Sequence, residues 1–475
     1  MNLLETLRSF FVSRSARAYL VGGGVRDMLL HRETHDLDVS VQGSASQLAR
    51  AFADEIGAAY FLMDEAFDVA RVILEREGAR EIVDFARLRG ETIEQDLATR
   101  DFTINALAAD AAIWNGDADA VIDPFNGRAD LFARRVRVVS DQVFVNDAVR
   151  LMRAARMEAE LDFVLEDETE KLVLRDAALI ENAPMERVRD ELMKIIAAPN
   201  VLRNLRRLDA LDLLGRVLPE VNPMRGVTQS PPHIYEVFEH SLRAVAAAEE
   251  TERAGYLNLA QGAFGAQLCE HFAQTVSAER TRRELLHLAL LLHDVGKPAT
   301  RTVEENGRIR FLGHETVGAE MVEAALRRLK FSNDEIGTTK VVTTNHLRPF
   351  WLAQNGMSDR AVYRFFRDTG AVGVDVAVHA WCDQRATYHA DSDADEISAL
   401  DAVIGRLLDR YYHARETVVF PPSLLNGNAV MELLQIPPGP RIGALLDALR
   451  EQQAAGEVTT REEAVAFLAR IQAET

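Results

Sequence analysis

The sequence predicts an α+β N-terminal domain, a mixed β-sheet with helices, followed by all-α domains to the end of the chain. Three observations predict it. Residues 19 to 140 alternate short β-like runs with helical ones. From about residue 141, Leu, Ala and Val recur at three- and four-residue spacing, the period of one helix face. Pro- and Gly-bearing breaks at 218–233, 348–359 and 418–427 then punctuate the helical stretch. With 475 residues, 48 % hydrophobic and 27 % charged, the chain can build about two to four domains with cores of their own.

The elements follow in order. The opening MNLLETLRSFF reads as an amphipathic turn or two carrying Glu5 and Arg8, not as a signal peptide. YLVGG, LDVSV, VARVILE, EIVDFARL and RVRVV are the β-like runs of the first domain, and ASQLARAFADEIG and INALAADAAIW its helical ones. DAVRLMRAARMEAEL, MERVRDELMKIIAA and RRELLHLALLLHD carry the helical period onward. The boundaries fall near 140, 228 and 420, giving segments 1–140, 141–228, 229–420 and 421–475. Glu250 to Arg280 is the least patterned stretch and reads as a variable insertion.

Net charge is −20, which opposes a uniformly basic nucleic-acid surface. Local patches differ: between Arg128 and Arg156 seven arginines face three aspartates, and Arg203, Arg206 and Arg207 form a second cluster. Cys269 and Cys382 lie too far apart in sequence for a metal or redox spacing, and no apolar run approaches the roughly 18 residues of a membrane span. A soluble protein of the reducing cytoplasm, without membrane contact, is expected.

Two constellations carry chemistry. Leu20 to Asp27 runs from a strand through Gly22, Gly23 and Gly24 into a helix, placing bare backbone N–H groups where a polyphosphate could sit. Asp36-Leu37-Asp38-Val39 then puts Asp36 and Asp38 on one face of a strand. Two adjacent carboxylates repel unless a hard cation lies between them, and Mg²⁺ is the natural candidate for two-metal phosphoryl or nucleotidyl transfer. Asp84, on a later β-like run, can supply a third carboxylate. In the second constellation, His293-Asp294 ends an apolar helix, and imidazole beside carboxylate suits Mg, Mn, Fe, Co or Ni.

The first constellation resembles the bacterial tRNA nucleotidyltransferases (CCA-adding enzymes) and poly(A) polymerases of the polymerase-β-like superfamily. GGGVRD, DLD, RDFTINAL from Arg100, IDPFNG from Ile122, NDAVR from Asn146 and ERVRDE from Glu186 occur in the family's order. The resemblance implies that the Gly23–Gly24–Arg26 turn holds the triphosphate and that Asp36 and Asp38 hold the metals. It places Arg100, Asp101 and Asn105 near ribose and phosphates, and Asp147 and Arg150 at the base edge. Arg153 and Arg156 continue that helix face toward phosphates. Asn146 stands where the family usually has Glu, which loosens any inference about nucleotide preference.

His240, His293-Asp294 and Asp383, with His314 and His346 between them, resemble the HD phosphohydrolase signature. The implied metal ligands are His240, His293, Asp294 and Asp383; His314 and His346 are placed as substrate-contacting, supporting or helix-capping residues. His287 reads as a core histidine. The implied activity is addition of CMP and AMP from CTP and ATP to the 3′ end of tRNA, its acceptor stem read by shape, with a phosphohydrolase in the same chain. The Gly-Pro-punctuated tail resembles the helical tail of the same enzymes. An enzyme adding only A or only CC, a poly(A) polymerase, or a nucleotide hydrolase with a degenerate transferase module are the alternatives.

Overall fold

The computed structural model describes residues 3–14, 16–34, 36–76, 79–278, 280–387 and 394–473. The chain divides into two compact units, one of Met1–Pro184 with Ala210–Leu213, the other of Met185–Asp209 with Leu214–Thr475. No helix among the described residues is long and apolar enough to cross a membrane.

The first unit is built on a six-stranded mixed sheet. Its strands are β1 (Ala18–Val21), β2 (Asp36–Val41), β3 (Ala59–Asp64), β4 (Val69–Arg76), β5 (Ala79–Arg87) and β6 (Ala108–Asp110), ordered β3-β4-β5-β2-β1-β6. Only β2 and β5 run parallel among these neighbours. On β2 the period of two buries Leu37, Val39 and Val41 and leaves Asp36 and Asp38 on the other side. The buried face packs against α1 (Leu3–Arg14) and α3 (Ala45–Ile56), where Phe10, Phe11, Phe52 and Phe85 meet at ring-centroid distances of 5.0 to 6.2 Å. The opening segment is thus a three-turn helix bearing core residues. Ser44 caps α3, and Asp68 accepts from Ala45 N and Ser46 N at 2.8 and 2.9 Å, tying the β3–β4 turn to the helix start.

One element differs from its sequence pattern. INALAADAAIW, expected to be helical, is a single 3-10 turn at Thr103–Asn105 followed by β6. Ala favours a helix in isolation, but here Ala108 and Ala109 pair with Val21 and Leu20 of β1 at the sheet edge, and tertiary pairing overrides propensity. The RVRVV run gives only a two-residue strand, Arg135–Val136, paired with Val164–Leu165 outside the main sheet.

Among the described residues the second unit is helical except for two small hairpins, Thr275–Ser277 with Arg280–Thr281 and Arg301–Val303 with Ile309–Phe311. The helices Val237–Arg253, Arg282–Leu292, Asn333–Asn345 and Gly373–Thr387 pack on one another. Leu285 through Leu292 are all buried, so Arg282–Leu292 is a central helix of the unit. The stretch expected to be an unpatterned insertion contains the end of one helix and a second, Gly265–Ala273, whose Leu268, His271 and Phe272 are buried. The last helices enclose a core of their own around Val430, Leu445, Leu449 and Leu468.

Candidate functional site

In the first unit, the parallel register of β2 and β5 sets Asp84 beside Asp38, and the antiparallel register of β4 sets Arg71 beside Asp84. Arg71 closes a two-pronged pair on Asp84 with both bonds at 2.8 Å, so the charge of Asp84 is already matched. Asp38 keeps solvent access but is crowded by protein atoms. This desolvation raises its carboxyl above the ordinary range; Arg100 pulls it down, and Asp84 and Asp36 push it up again. A carboxylate made costly by like charges on its own sheet face is what a hard divalent cation relieves, so the oxygen donors present fit such an ion.

Gly22 has φ +70° and ψ −138°, and a Cβ there would stand 2.7 Å from Arg100 Nη1 and 3.2 Å from Asp38 Oδ2. The glycine turn, Arg100 and Asp38 therefore converge. Arg26 and Asn105, expected at the nucleotide, are committed inward. The buried Arg26 donates to both oxygens of Asp27 at 2.9 Å and to Asn105 Oδ1 at 2.7 Å. Asn105 Nδ2 donates in turn to Asp101 at 3.0 Å, and Asp101 also accepts from Phe102 N and Arg153 Nη1. Burial alone would raise the Asp101 carboxyl, but Arg153 and these hydrogen bonds hold it below the usual range. The chain of contacts from Asp27 to Arg153 fixes the glycine turn relative to the helix Val149–Leu161.

Beside it lies a polar pocket of about 210 Å³ lined by Arg87, Arg89, Arg100, Arg150 and Arg153, with Asp96 and Asp101 as its carboxylates. Arg150 donates to Thr99 O at 2.8 Å and stands 3.9 Å from Asp147; burial lowers its guanidinium below the usual range. Arg156, expected to face phosphates, does not line the pocket and pairs with Glu160 at 3.1 Å, one turn along the helix. Sequence reasoning missed Arg87 and Arg89, whose signal is two arginines at and just past the end of the Asp84 strand.

The second unit brings together six ligand-type side chains from five helices. Two triads form, His240 with His293 and Asp383, and Asp294 with His314 and His346, each with its donor atoms within 4.8 Å of one another and all residues buried. His240 Nε2 lies 2.8 Å from Asp383, and His314 Nε2 lies 3.4 Å from Asp294 and 3.2 Å from His346 Nε2. The Nδ1 atoms of His293, His314 and His346 donate to the carbonyls of Leu290, Phe311 and Thr343 at 2.7 to 2.9 Å, which leaves each Nε2 lone pair facing inward. Burial, then His314 and His293, lower His346 to about 3. Burial works against ionising Asp294 and Asp383, yet the adjoining imidazoles hold both well below the usual carboxylate range.

No well-aligned hydrogen bond satisfies His293 Nε2 or either Asp294 oxygen, although Lys297 Nζ stands 2.6 Å from Asp294. Imidazole nitrogens and carboxylates converging around unsatisfied buried atoms fit a divalent metal, or two. His314 and His346, set between the ligands by sequence, are thus as central as the four implied ones. His379, one turn before Asp383, was missed: it is fully buried, its ring packs at 4.9 Å on that of His293, and neither ring nitrogen has a hydrogen-bond partner. His287 is paired with Glu252 at 2.8 Å. Gly296 lets the His293–Lys297 turn approach the next helix, since a Cβ there would lie 2.2 Å from His314 O.

A carboxylate-bearing mixed sheet beside an arginine pocket, followed in the chain by helices and a buried His/Asp centre, defines a nucleotidyltransferase joined to an HD-type unit. The chain matches the Poly A polymerase head domain over residues 18–137, the probable RNA and SrmB-binding site of polymerase A over 162–225, and the HD domain over 237–364. It is 34 % identical over 465 residues to the A-adding tRNA nucleotidyltransferase of Deinococcus radiodurans, covering 96 % of each chain. It is 31 % identical over 457 residues to the CC-adding tRNA nucleotidyltransferase of Thermus thermophilus, covering 95 % of this chain and 93 % of that one. A solved CCA-adding enzyme complexed with CTP shares its fold, with a TM-score of 0.63 at 22 % identity, covering 100 % of this chain and 95 % of that one. The chain belongs to the tRNA nucleotidyltransferase family.

Proposed function

We propose that this protein transfers CMP or AMP from CTP or ATP to the 3′ end of tRNA without a template. The observation that carries this is the Asp36/Asp38 face of β2 converging with the Gly22 turn and Arg100 beside an arginine-lined pocket. In the reaction the tRNA 3′-oxygen bonds to the α-phosphorus, the bond from that phosphorus to the bridging oxygen breaks, and pyrophosphate leaves. Asp36 and Asp38, with Asp84 beside them, would hold Mg²⁺, which supplies activation of the hydroxyl and neutralisation of the phosphates. Arg87, Arg89 and Arg100 bind phosphate oxygens, the Gly23–Gly24 backbone faces the triphosphate, and Asp147 with Arg150 meets the edge of the base. The Asp101–Arg153 pair orients Arg100 and Arg150 rather than contacting the reacting atoms. The four segments 1–140, 141–228, 229–420 and 421–475 serve as head, neck, HD domain and tail.

Three relatives that match 95 % or more of this chain at 31 to 34 % identity are A-adding or CC-adding enzymes, whereas the Multifunctional CCA protein of Halorhodospira halophila matches 66 % of it. This favours partial addition, of A or of CC, over synthesis of the whole CCA end. Incubation with tRNA transcripts ending before CCA, after C or after CC, with CTP and ATP singly and together, followed by 3′-end sequencing, tests it. Ordered CCA on the first transcript refutes partial addition, and no addition to any transcript, or a long A tail, refutes the tRNA nucleotidyltransferase reading as a whole.

The two buried triads support a second activity, hydrolysis of a phosphate ester. His240, His293 and Asp383, and Asp294, His314 and His346, would hold the metal, which supplies an activated water and polarises the phosphate. Hydrolysis of bis(p-nitrophenyl) phosphate with Mn²⁺, Ni²⁺ or Mg²⁺ tests this, and its absence with each metal refutes it.

A further inference from the structure

The carboxylate face of the first unit's sheet continues past Asp84 to the sheet edge. Strand register sets Asp38, Asp84, Arg71 and Phe61 opposite one another across β2, β5, β4 and β3, so the four side chains form one row on one face. At about 4.8 Å per strand, Arg71 stands roughly 10 Å and Phe61 roughly 14 Å along the row from Asp38. The outer half of this row is not used by the core. Tyr60 and Val72, which alternate with Phe61 and Arg71, pack on the apolar core, whereas Phe61 is 48 % exposed. Arg71 gives its Nε and Nη2 to Asp84, and its Nη1 has no hydrogen-bond partner among the described residues. Ile73 and Ile82, the next residues on this face, are half-buried and flank the ion pair on the side of Asp36. Leu62, Met63 and Phe67, on β3 and in the turn after it, are exposed as well.

An exposed apolar edge strand is either an interface or a hazard. Two observations disfavour a second copy adding a strand to β3. Its pairing with β4 shifts register between Leu62 and Asp64, which interrupts the edge, and a chain of net charge −20 repels its own kind. A single-stranded RNA end fits instead, since its bases stack on aromatic rings and its phosphates pair with arginine. The row runs from a ring through a guanidinium to the carboxylates, the order in which such an end would present base, phosphate and 3′-hydroxyl. We propose that Phe61 and Arg71 hold the acceptor strand: Phe61 stacks the penultimate base, and Arg71 pairs the phosphate joining the last two nucleotides, which leaves the 3′-hydroxyl at Asp36 and Asp38. The inference rests on the transferase reading of the same sheet face.

The test is nucleotide addition by the full-length protein with Mg²⁺, varying tRNA at saturating CTP or ATP and then the reverse. Phe61→Ala is expected to raise KM for tRNA about tenfold and to leave KM for the nucleotide at the parent value, which also shows the variant folded. Phe61→Trp keeps a stacking ring and should restore the parent KM for tRNA. A tRNA carrying 2-aminopurine at its penultimate position reports stacking without any added nucleotide. Its fluorescence should be quenched by the parent and by Phe61→Trp, and not by Phe61→Ala. Arg71→Ala should make the fall of log affinity for tRNA with log salt less steep by about 0.7, one single-strand phosphate contact, while Phe61→Ala keeps the parent slope. Equal KM for tRNA in Phe61→Ala and the parent, a rise in both KM values together, or quenching that survives Phe61→Ala overturns the proposal. So does a parent dimer, seen by sedimentation, that Phe61→Ala dissociates with KM for tRNA unchanged, which assigns the face to a second copy. A parent that adds no nucleotide removes the transferase reading by itself, and the quenching and salt slope then still decide whether this face holds RNA.

Discussion

Gly22→Ala is the sharpest probe of the transferase centre, because the backbone and the neighbours both forbid it. At φ +70° and ψ −138° the residue lies in a region nearly confined to glycine, and holding Ala there costs about 1–3 kcal/mol. The new Cβ would also stand 2.7 Å from Arg100 Nη1 and 3.2 Å from Asp38 Oδ2, so either the turn opens or both side chains move. With about 2 kcal/mol lost and a urea dependence near 2 kcal/mol per molar, the unfolding midpoint of the first unit should fall by about 1 M. Displacing Asp38 by about 1 Å should cut nucleotide addition on the order of 10²-fold. The neighbouring glycines are controls. A Cβ on Gly23 meets nothing nearer than 3.5 Å, and one on Gly24 meets Leu37 Cδ2 at 3.3 Å and Asp36 O at 3.4 Å. Gly23→Ala should therefore be neutral or slightly stabilising, its effect confined to KM for CTP or ATP, with Gly24→Ala intermediate. Equal midpoints and rates for Gly22→Ala and the parent would refute the argument, as would a Gly23→Ala protein that unfolds as early as Gly22→Ala.

Three further outcomes follow from the charges. Asp38 has its carboxyl raised in the folded protein, so its anion costs stability at pH above both the folded and unfolded values; metal-free Asp38→Asn should resist urea better than the parent at pH 7, match it near pH 3, and add no nucleotide. A variant less stable than the parent at pH 7 would contradict this. Buried Glu335 is held low, against the effect of burial, by Arg280 and by Ser332 N and Oγ, so its contribution is present above the unfolded value near 4.5 and lost as pH falls through the lower folded value. Glu335→Gln should flatten the acid limb of the second unit's thermal stability, and an unchanged limb would count against the pair. Asp294→Ala should lower bound metal, measured by mass spectrometry of the purified protein, while tRNA nucleotide addition continues at the parent rate; loss of addition in a folded Asp294→Ala protein would contradict the independence of the centres.

The transferase centre was legible where chemistry and local period coincide. On β2 the alternation that buries Leu37, Val39 and Val41 fixes the side on which Asp36 and Asp38 stand, so the carboxylate face follows from the residues alone. What lay beyond local pattern was register. Nothing in the order of residues says that Arg71 pairs across to Asp84, or that Arg87 and Arg89 share a pocket with Arg150 from a distant helix. Arg26 and Asn105 were placed near the nucleotide by resemblance, and the fold adds what the order of residues does not carry, that Arg26 is buried against Asp27 and Asn105. The helical expectation at INALAADAAIW failed because alanine's intrinsic preference is weak beside an available strand edge.

The helical unit shows how a hidden ligand can be read after the fact. His293, His314 and His346 stand at helix ends or the first residue of a helix, and each gives its Nδ1 proton to the carbonyl three residues earlier. That bond fixes the tautomer and turns Nε2 away from the local backbone, toward the centre. A histidine merely filling a core needs only one such partner and any orientation, as His287 shows with Glu252. Three histidines with the same i−3 bond and Nε2 atoms converging on Asp294 are instead a built donor set. The sequence separates them by as many as 53 residues, from 293 to 346, and only the packing of the three helices they stand on closes that distance. The same packing puts His379 against His293 one turn before Asp383, a spacing that places both on one helix face and that the sequence does carry.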